Sequence, residues 1–135
     1  MIVVDSSVWI AQFRGAANAA AWKLDILEEG DTDEILVGDL IMVEVLQGAR
    51  NEAHAAFIER RLRAFRVATM LDADLATIVA RNFRFLRGRG VTLRKTADLI
   101  IATFCIERDH ALLHDDRDFQ AVRSEEHTSE LQSPA

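Results

Sequence analysis

The sequence lacks several features that mark common protein classes. Among its 135 residues there are no tyrosines, one cysteine and one proline, which stands at position 134. A single cysteine excludes a disulfide framework and a cysteine-rich zinc site. Because Cys105 lies inside an apolar helical pattern, we expect a small buried side chain in a reducing compartment.

Signals for export or membrane insertion are also missing. The N-terminus has neither the basic region nor the long apolar stretch of a signal peptide. The most apolar window, residues 35 to 46, contains Asp39 and Glu44 and is too short to span a bilayer. We therefore expect a cytoplasmic protein that does not use a membrane.

The length and the apolar content, 50% of the residues, fit one domain with one core. Residues 124 to 135 hold one large apolar side chain and no periodicity, so we expect a disordered tail. This segment looks like translated sequencing-adapter sequence, and we expect it to be non-native, with the true C-terminus missing. The predicted domain is therefore residues 1 to 123.

The charge is mildly acidic but unevenly distributed. The net charge is −6, and removing the three glutamates of the tail, which has no lysine or arginine, leaves −3. That balance is not the usual footprint of a sequence-independent DNA-binding protein. Positive charge gathers in two clusters, which are either solvated helix faces or contacts for a polyanion. The first comprises Arg60, Arg61, Arg63 and Arg66, and the second Arg81, Arg84, Arg87, Arg89, Arg94 and Lys95.

Short apolar runs alternate with helical periods along the chain. Buried strands are predicted over residues 1 to 4, 34 to 37, 67 to 70 and 111 to 114. Helices are predicted over residues 7 to 13, 18 to 29, 39 to 47, 52 to 65, 72 to 87 and 96 to 108, with Ser6 or Ser7 capping the first and Thr96 the last. The alternation predicts an α/β fold, a three-layer α/β/α sandwich with a central parallel sheet of four or five strands.

Four acidic residues carry the candidate chemistry. Asp5 and Asp116 follow the first and last strands, at the sheet edge where open α/β sheets bind ligands. Glu44 interrupts an apolar run, so it either points into a polar or metal-filled site or shares an outward stripe with Gln47 and Ile41. Asp98 lies in the first turn of the last helix, where the helix dipole alone could account for it. Asp116 could also be an ordinary turn residue.

Carboxylates gathered in one pocket repel each other unless a cation neutralises them. Oxygen ligands favour Mg²⁺ or Mn²⁺, which prefer phosphate as a co-ligand and activate water for hydrolysis. The acidic set therefore suits metal-dependent hydrolysis of a nucleic-acid strand.

Four segments taken together resemble the PIN-domain ribonucleases, and specifically VapC-type toxins of toxin–antitoxin pairs. The segments are Val4-Asp5-Ser6-Ser7, Glu44-Val45-Leu46-Gln47-Gly48, residues 96 to 102 (TADLIIA) and residues 112 to 119 (LLHDDRDF), in the family's order and spacing. The resemblance implies that Asp5, Glu44, Asp98 and Asp116 are catalytic and bind the metal. It further implies a supporting hydroxyl at Ser7 and a possible accessory acid at Asp118, which competes with Asp116 for the fourth position.

The resemblance also implies the partners. These are an RNA substrate, a VapB-type antitoxin and a second copy of the chain in a homodimer. Arg89 and Arg94 are expected to guide RNA toward the acids. Trp9, Phe13 and Trp22 either line the groove for an apolar antitoxin helix or pack in the core.

Other classes fit less well. A receiver domain would need an aspartate after a central strand, a haloacid-dehalogenase-like phosphatase would need a second aspartate at position 7, and dinucleotide binding would need a glycine fingerprint. The alternative that remains is a PIN-like subunit without turnover, which binds RNA or an antitoxin.

Overall fold

The computed structural model describes residues 1 to 92 and 95 to 115. These residues fall into two compact units. The first unit comprises Met1–Thr69 and Ala111–Asp115, and the described part of the second is Met70–His110. Arg94, Asp116, Asp118 and the predicted tail lie outside the described residues.

The first unit contains a parallel sheet and four α-helices. In chain order its elements are β1 (Ile2–Val4), α1 (Ser6–Phe13), α2 (Ala19–Glu29), a 3₁₀ turn (Thr32–Glu34), β2 (Ile35–Gly38), α3 (Asp39–Leu46), α4 (Glu52–Arg63), β3 (Arg66–Ala68) and β4 (Ala111–Leu113). The sheet order among the described strands is β3-β2-β1-β4, and every pairing is parallel. The predicted α/β class with a parallel sheet is confirmed.

The strand sequences explain which strands lie in the centre of the sheet. The central strands, β1 and β2, consist almost wholly of branched apolar residues, and every residue of β2 is buried. Strands covered on both faces need no polar alternation. In contrast, β3 begins with exposed Arg66 and Val67, as suits the edge of the four described strands. Parallel pairing places all four carboxyl ends at one edge, so the residues that follow β1, β2 and β4 meet there.

The second unit is built on two helices, α5 (Ala73–Gly88) and α6 (Thr96–Glu107), which pack against each other. In α5 the buried residues Leu75, Val79, Asn82 and Leu86 are spaced four, three and four apart, which is the period of one helix face. Inside this unit the Asn82 amide donates to the Thr103 hydroxyl over 3.2 Å. Cys105 is buried on α6, as predicted.

The helix caps differ from two of the sequence predictions. Asp5, not Ser6 or Ser7, caps α1, because its carboxylate reaches the backbone N–H of Ser7. Thr96 does not cap α6 either. It is the first residue within the helix, and Lys95 holds the cap position without a side-chain hydrogen bond. The third strand, predicted over residues 67 to 70, begins one residue earlier and ends two residues earlier, since β3 is Arg66–Ala68.

Trp9 and Trp22 have opposite environments. Trp9 is fully buried, with its ring 6.2 Å from that of Phe13 and 5.5 Å from that of Phe65. Trp22 is 58% exposed on α2. The core interpretation is therefore confirmed for Trp9, while Trp22 belongs to the surface. None of the helices within the described ranges combines the length and apolar character needed to cross a bilayer.

We expect Trp9→Ala to lower the free energy of unfolding by about 3–5 kcal/mol, because it removes a large buried ring and leaves a cavity. Trp22→Ala is the matched control, and an exposed substitution should stay within about 0.5 kcal/mol of the wild type. Urea denaturation measures both. Equal decreases in the free energy of unfolding for the two variants would contradict the difference in burial between Trp9 and Trp22.

Candidate active site

The site begins at Asp5, which joins β1 to α1. Its backbone N–H donates to the Leu113 carbonyl over 2.9 Å, which continues the pairing of β1 with β4. Its side chain then caps α1. Asp5 is only 2% exposed. Hydrogen bonds of both its backbone and its side chain therefore hold the Asp5 carboxylate at the carboxyl edge of the sheet.

Ser7 fixes one oxygen of this carboxylate. Asp5 Oδ2 accepts hydrogen bonds from the Ser7 hydroxyl over 2.7 Å and from the Ser7 backbone N–H over 3.1 Å. The Ser7 Oγ also accepts from the Asp115 backbone N–H over 3.4 Å. Ser7 therefore connects the start of α1 to the segment that follows β4.

The other oxygen of Asp5 has a different environment. Asp5 Oδ1 is buried and accepts no hydrogen bond within the part of the chain that the structure describes. A buried polar atom without a partner costs about 1–3 kcal/mol, and more when it carries charge. An oxygen of this kind is suited to a cation, which would replace the missing hydrogen bonds.

Glu44 reaches the same edge from α3. Its Oε1 accepts from the Ser6 hydroxyl over 3.2 Å, and the side chain is half-buried. The outward stripe considered for Glu44 is contradicted at Ile41, which is fully buried, whereas Gln47 is exposed. Adjacent serines thus hold two acids, with Ser7 on Asp5 and Ser6 on Glu44. Ser6 was predicted only as a candidate cap of the first helix and not as a partner of an acid, although its place between Asp5 and Ser7 was the available signal.

Asp98 belongs to the second unit, in the first turn of α6, and is only 3% exposed. The favourable effect of a helix dipole on a carboxylate is about 0.3–1 kcal/mol. Burying an ionised group costs several kcal/mol. The helix dipole is the smaller of these two effects, and the role of Asp98 stays a prediction.

Of the remaining predicted residues, the structure describes Arg89 alone. Arg89 is exposed at the end of α5, with its guanidinium 4.7 Å from the centroid of the Phe85 ring. Arg94, Asp116 and Asp118 lie outside the described residues. Within residues 1 to 92 and 95 to 115, no three His, Cys, Asp or Glu side chains are grouped closely enough to hold a metal ion. The structure thus links Asp5 and Glu44 through adjacent serines, and it leaves the full quartet as a prediction.

Comparison with known proteins gives the same family as the sequence motifs. The family model described as the PIN domain matches residues 2 to 125. The chain is 28% identical over 122 residues to ribonuclease VapC11 of Mycobacterium tuberculosis, covering 90% of this chain and 91% of that protein. VapC ribonuclease Mb1587 of Mycobacterium bovis matches with the same values.

Solved structures share the fold. VapBC2 from Rickettsia felis, bound to a DNA fragment from its promoter, matches with a TM-score of 0.71 at 15% identity, over 90% of this chain and 93% of that one. FitAcB from Neisseria gonorrhoeae matches with 0.70 at 19% identity, over 91% and 94%. VapC20 of Mycobacterium tuberculosis, described as a sarcin-ricin loop cleaving toxin, matches with 0.66 at 18% identity, over 90% and 95%.

This likeness confirms the predicted PIN-like α/β/α fold, and the names of the relatives confirm the resemblance to VapC proteins. The family model covers nearly the whole chain, including the strand-end Asp5 and the helix-borne Glu44. The chain belongs to the PIN domain family.

Proposed function

We propose that this protein is a metal-dependent endoribonuclease that acts as the toxin of a toxin–antitoxin pair. The observation that carries the proposal is the state of Asp5, a buried strand-end carboxylate with one oxygen fixed by Ser7 and the other without a hydrogen bond among the described residues. Relatives of nearly equal length named as VapC ribonucleases support the activity. The neighbour described as cleaving the sarcin-ricin loop supports structured RNA as the substrate class.

The chemistry of the donors fits a hard divalent cation. Asp5 and Glu44 offer carboxylate oxygens, which Mg²⁺ and Mn²⁺ prefer. We propose that Asp98 and Asp116 complete the set, with Asp118 as an accessory acid. When bound, the cation would supply an activated water and offset the charge on a phosphodiester.

The contacts of Ser6 and Ser7 support the positioning roles that we propose for them. Ser7 restricts Asp5 to one orientation by donating to Oδ2, so Oδ1 stays directed away from that hydrogen bond. Ser6 does the same for Glu44. Ligands oriented in this way lose less freedom when they bind a metal ion. Arg89 and Arg94 are proposed to attract the RNA strand.

The partners are proposed from the same relationships. The VapBC2 structure is named for a VapB and a VapC protein together, which supports a VapB-type antitoxin as the partner here. We also propose that the protein forms a homodimer and is located in the cytoplasm. The alternative is a catalytically inactive PIN-like subunit that binds RNA or an antitoxin. An RNA cleavage assay distinguishes this alternative from the nuclease.

Asp5→Asn should abolish metal-dependent cleavage of a mixed cellular RNA pool by the purified chain, because it removes a charged ligand. Ser7→Ala should lower the rate about 10- to 100-fold, the usual effect of losing a residue that orients a metal ligand. Asp33→Asn is the control, since Asp33 is an exposed aspartate near β2. Gel analysis with Mg²⁺ or Mn²⁺ against EDTA measures the rates. No cleavage by folded wild type under either metal would favour the inactive subunit.

Metal binding should also be visible without RNA. Adding Mg²⁺ or Mn²⁺ at about 100 times its dissociation constant should stabilise the folded chain by about 2.7 kcal/mol. Asp5→Asn should remove most of that gain, whereas Asp33→Asn should keep it. Urea unfolding with and without metal measures the difference. Identical metal-dependent gains in all three proteins would place the cation away from Asp5.

Charge reversal tests the proposed RNA path. Arg89→Glu with Arg94→Glu should weaken binding of single-stranded RNA and flatten its salt dependence, by about 0.7 in the logarithmic slope for each lost phosphate contact. Fluorescence anisotropy at several salt concentrations measures both quantities. An unchanged affinity and slope would remove these arginines from the RNA path.

A further inference from the structure

The first unit contains a cavity of about 500 Å³ between α1, α3 and α4. Four apolar side chains form part of its lining, namely Ile10, Phe13, Val45 and Ile58. Val45 and Ile58 are buried, whereas Phe13 is half-buried and exposes part of its ring. The volume falls in the range of pockets that bind small molecules or single residues of a polymer.

Three basic side chains complete the lining. Arg14 follows α1, Arg50 precedes α4, and His54 lies in the first turn of α4. His54 Nδ1 accepts the Arg50 backbone N–H over 3.1 Å, so a neutral His54 ring carries its proton on Nε2. Within the described ranges, no carboxylate lies within ion-pair distance of either arginine. The polar side chains around this cavity are therefore hydrogen-bond donors, and the arginines are positively charged.

The cavity lies on the same helix seam as the candidate active site. The hydrogen bond from Ser6 to Glu44 joins α1 to α3. Ile10, which lines the cavity, lies four residues after Ser6 on α1, a rise of about 6 Å, and Val45, which also lines it, follows Glu44 on α3. A strand whose phosphodiester lies at Glu44 would thus reach the cavity within a few nucleotides.

We propose that this cavity binds RNA close to the cleaved bond, with a phosphate against Arg14, Arg50 and His54 and a base against the exposed part of Phe13. The arrangement combines positive donors with an aromatic surface, the combination by which proteins hold single-stranded nucleic acid. This inference rests on the proposed ribonuclease function. It adds a second binding region, on the first unit, to the one proposed at Arg89 and Arg94.

An acidic peptide is the competing occupant, since it also offers carboxylates to arginine. Two observations favour RNA. Two residues that line the cavity, Ile10 and Val45, lie on α1 and α3, the helices that carry Ser6 and Glu44. A large apolar surface suited to a partner helix exists elsewhere, on α2, where Trp22 is 58% and Ile26 67% exposed.

The test measures RNA binding in EDTA, where metal-dependent cleavage is stopped. The probe is a fluorescein-labelled single-stranded RNA of mixed sequence, titrated at several salt concentrations. The double variant Arg14→Gln/Arg50→Gln should lower the logarithmic salt slope by about 1.4, or about 0.7 for each phosphate contact. The matched control is Lys23→Gln/Arg108→Gln, which removes two exposed positive charges that do not line this cavity and belong to neither arginine cluster. The control should keep the wild-type slope.

A second measurement separates this proposal from the proposed function. Cleavage by the wild type with Mg²⁺ or Mn²⁺ tests the nuclease independently of the slope. A reduced slope for the cavity variant alone supports the cavity even if nothing is cut. An unchanged slope, an equal fall in the control, or no RNA binding by the wild type would overturn it. An unchanged RNA slope with weaker binding of a labelled Leu/Glu peptide would also overturn it and assign the cavity to an acidic peptide.

Discussion

The placement of the carboxylate of Asp5 is the constraint on which the site depends. One residue ends β1, pairs with β4 through its N–H and caps α1 with its side chain. The cap uses the carboxylate as a hydrogen-bond acceptor, while its 2% exposure removes it from water. Ser7 provides two donors to one oxygen, and the other oxygen still lacks a hydrogen bond within the described residues. A structural role and a candidate chemical role are therefore combined in one side chain.

The adjacent serines show how a short segment can orient two acids from different elements. Consecutive residues at the start of a helix point in directions about 100° apart, which follows from 3.6 residues per turn. Ser7 can therefore turn back to Asp5 while Ser6 faces Glu44 on α3. The helix cap that fixes α1 also fixes both hydroxyls. Local helix geometry, rather than loop conformation, thus determines where these two carboxylates lie.

Much of this arrangement could be predicted from the sequence, and the exceptions have physical reasons. The strand predicted over residues 34 to 37 and the helix predicted over residues 72 to 87 correspond to β2 and α5, because burial determines the apolar pattern of both. The cap of α1 was assigned to a serine because Ser and Asp are nearly equal cap formers, and only the backbone geometry distinguishes them. The contact of Ser6 with Glu44 and the arginines that line the cavity were not predicted, because the contacting residues lie far apart in the sequence. The relation between Asp98 and the first unit rests on the resemblance alone.

The opposite environments of the two tryptophans also give the protein a built-in optical signal. Since there is no tyrosine, ultraviolet emission comes almost entirely from Trp9 and Trp22. Trp9 reports from the interior beside Phe65, and Trp22 reports from the water-facing side of α2. A Trp22→Phe protein would emit from the core alone, and a Trp9→Phe protein from the surface alone. Unfolding of the interior and binding at the α2 face can thus be followed separately by the fluorescence of Trp9 and of Trp22, without an attached dye.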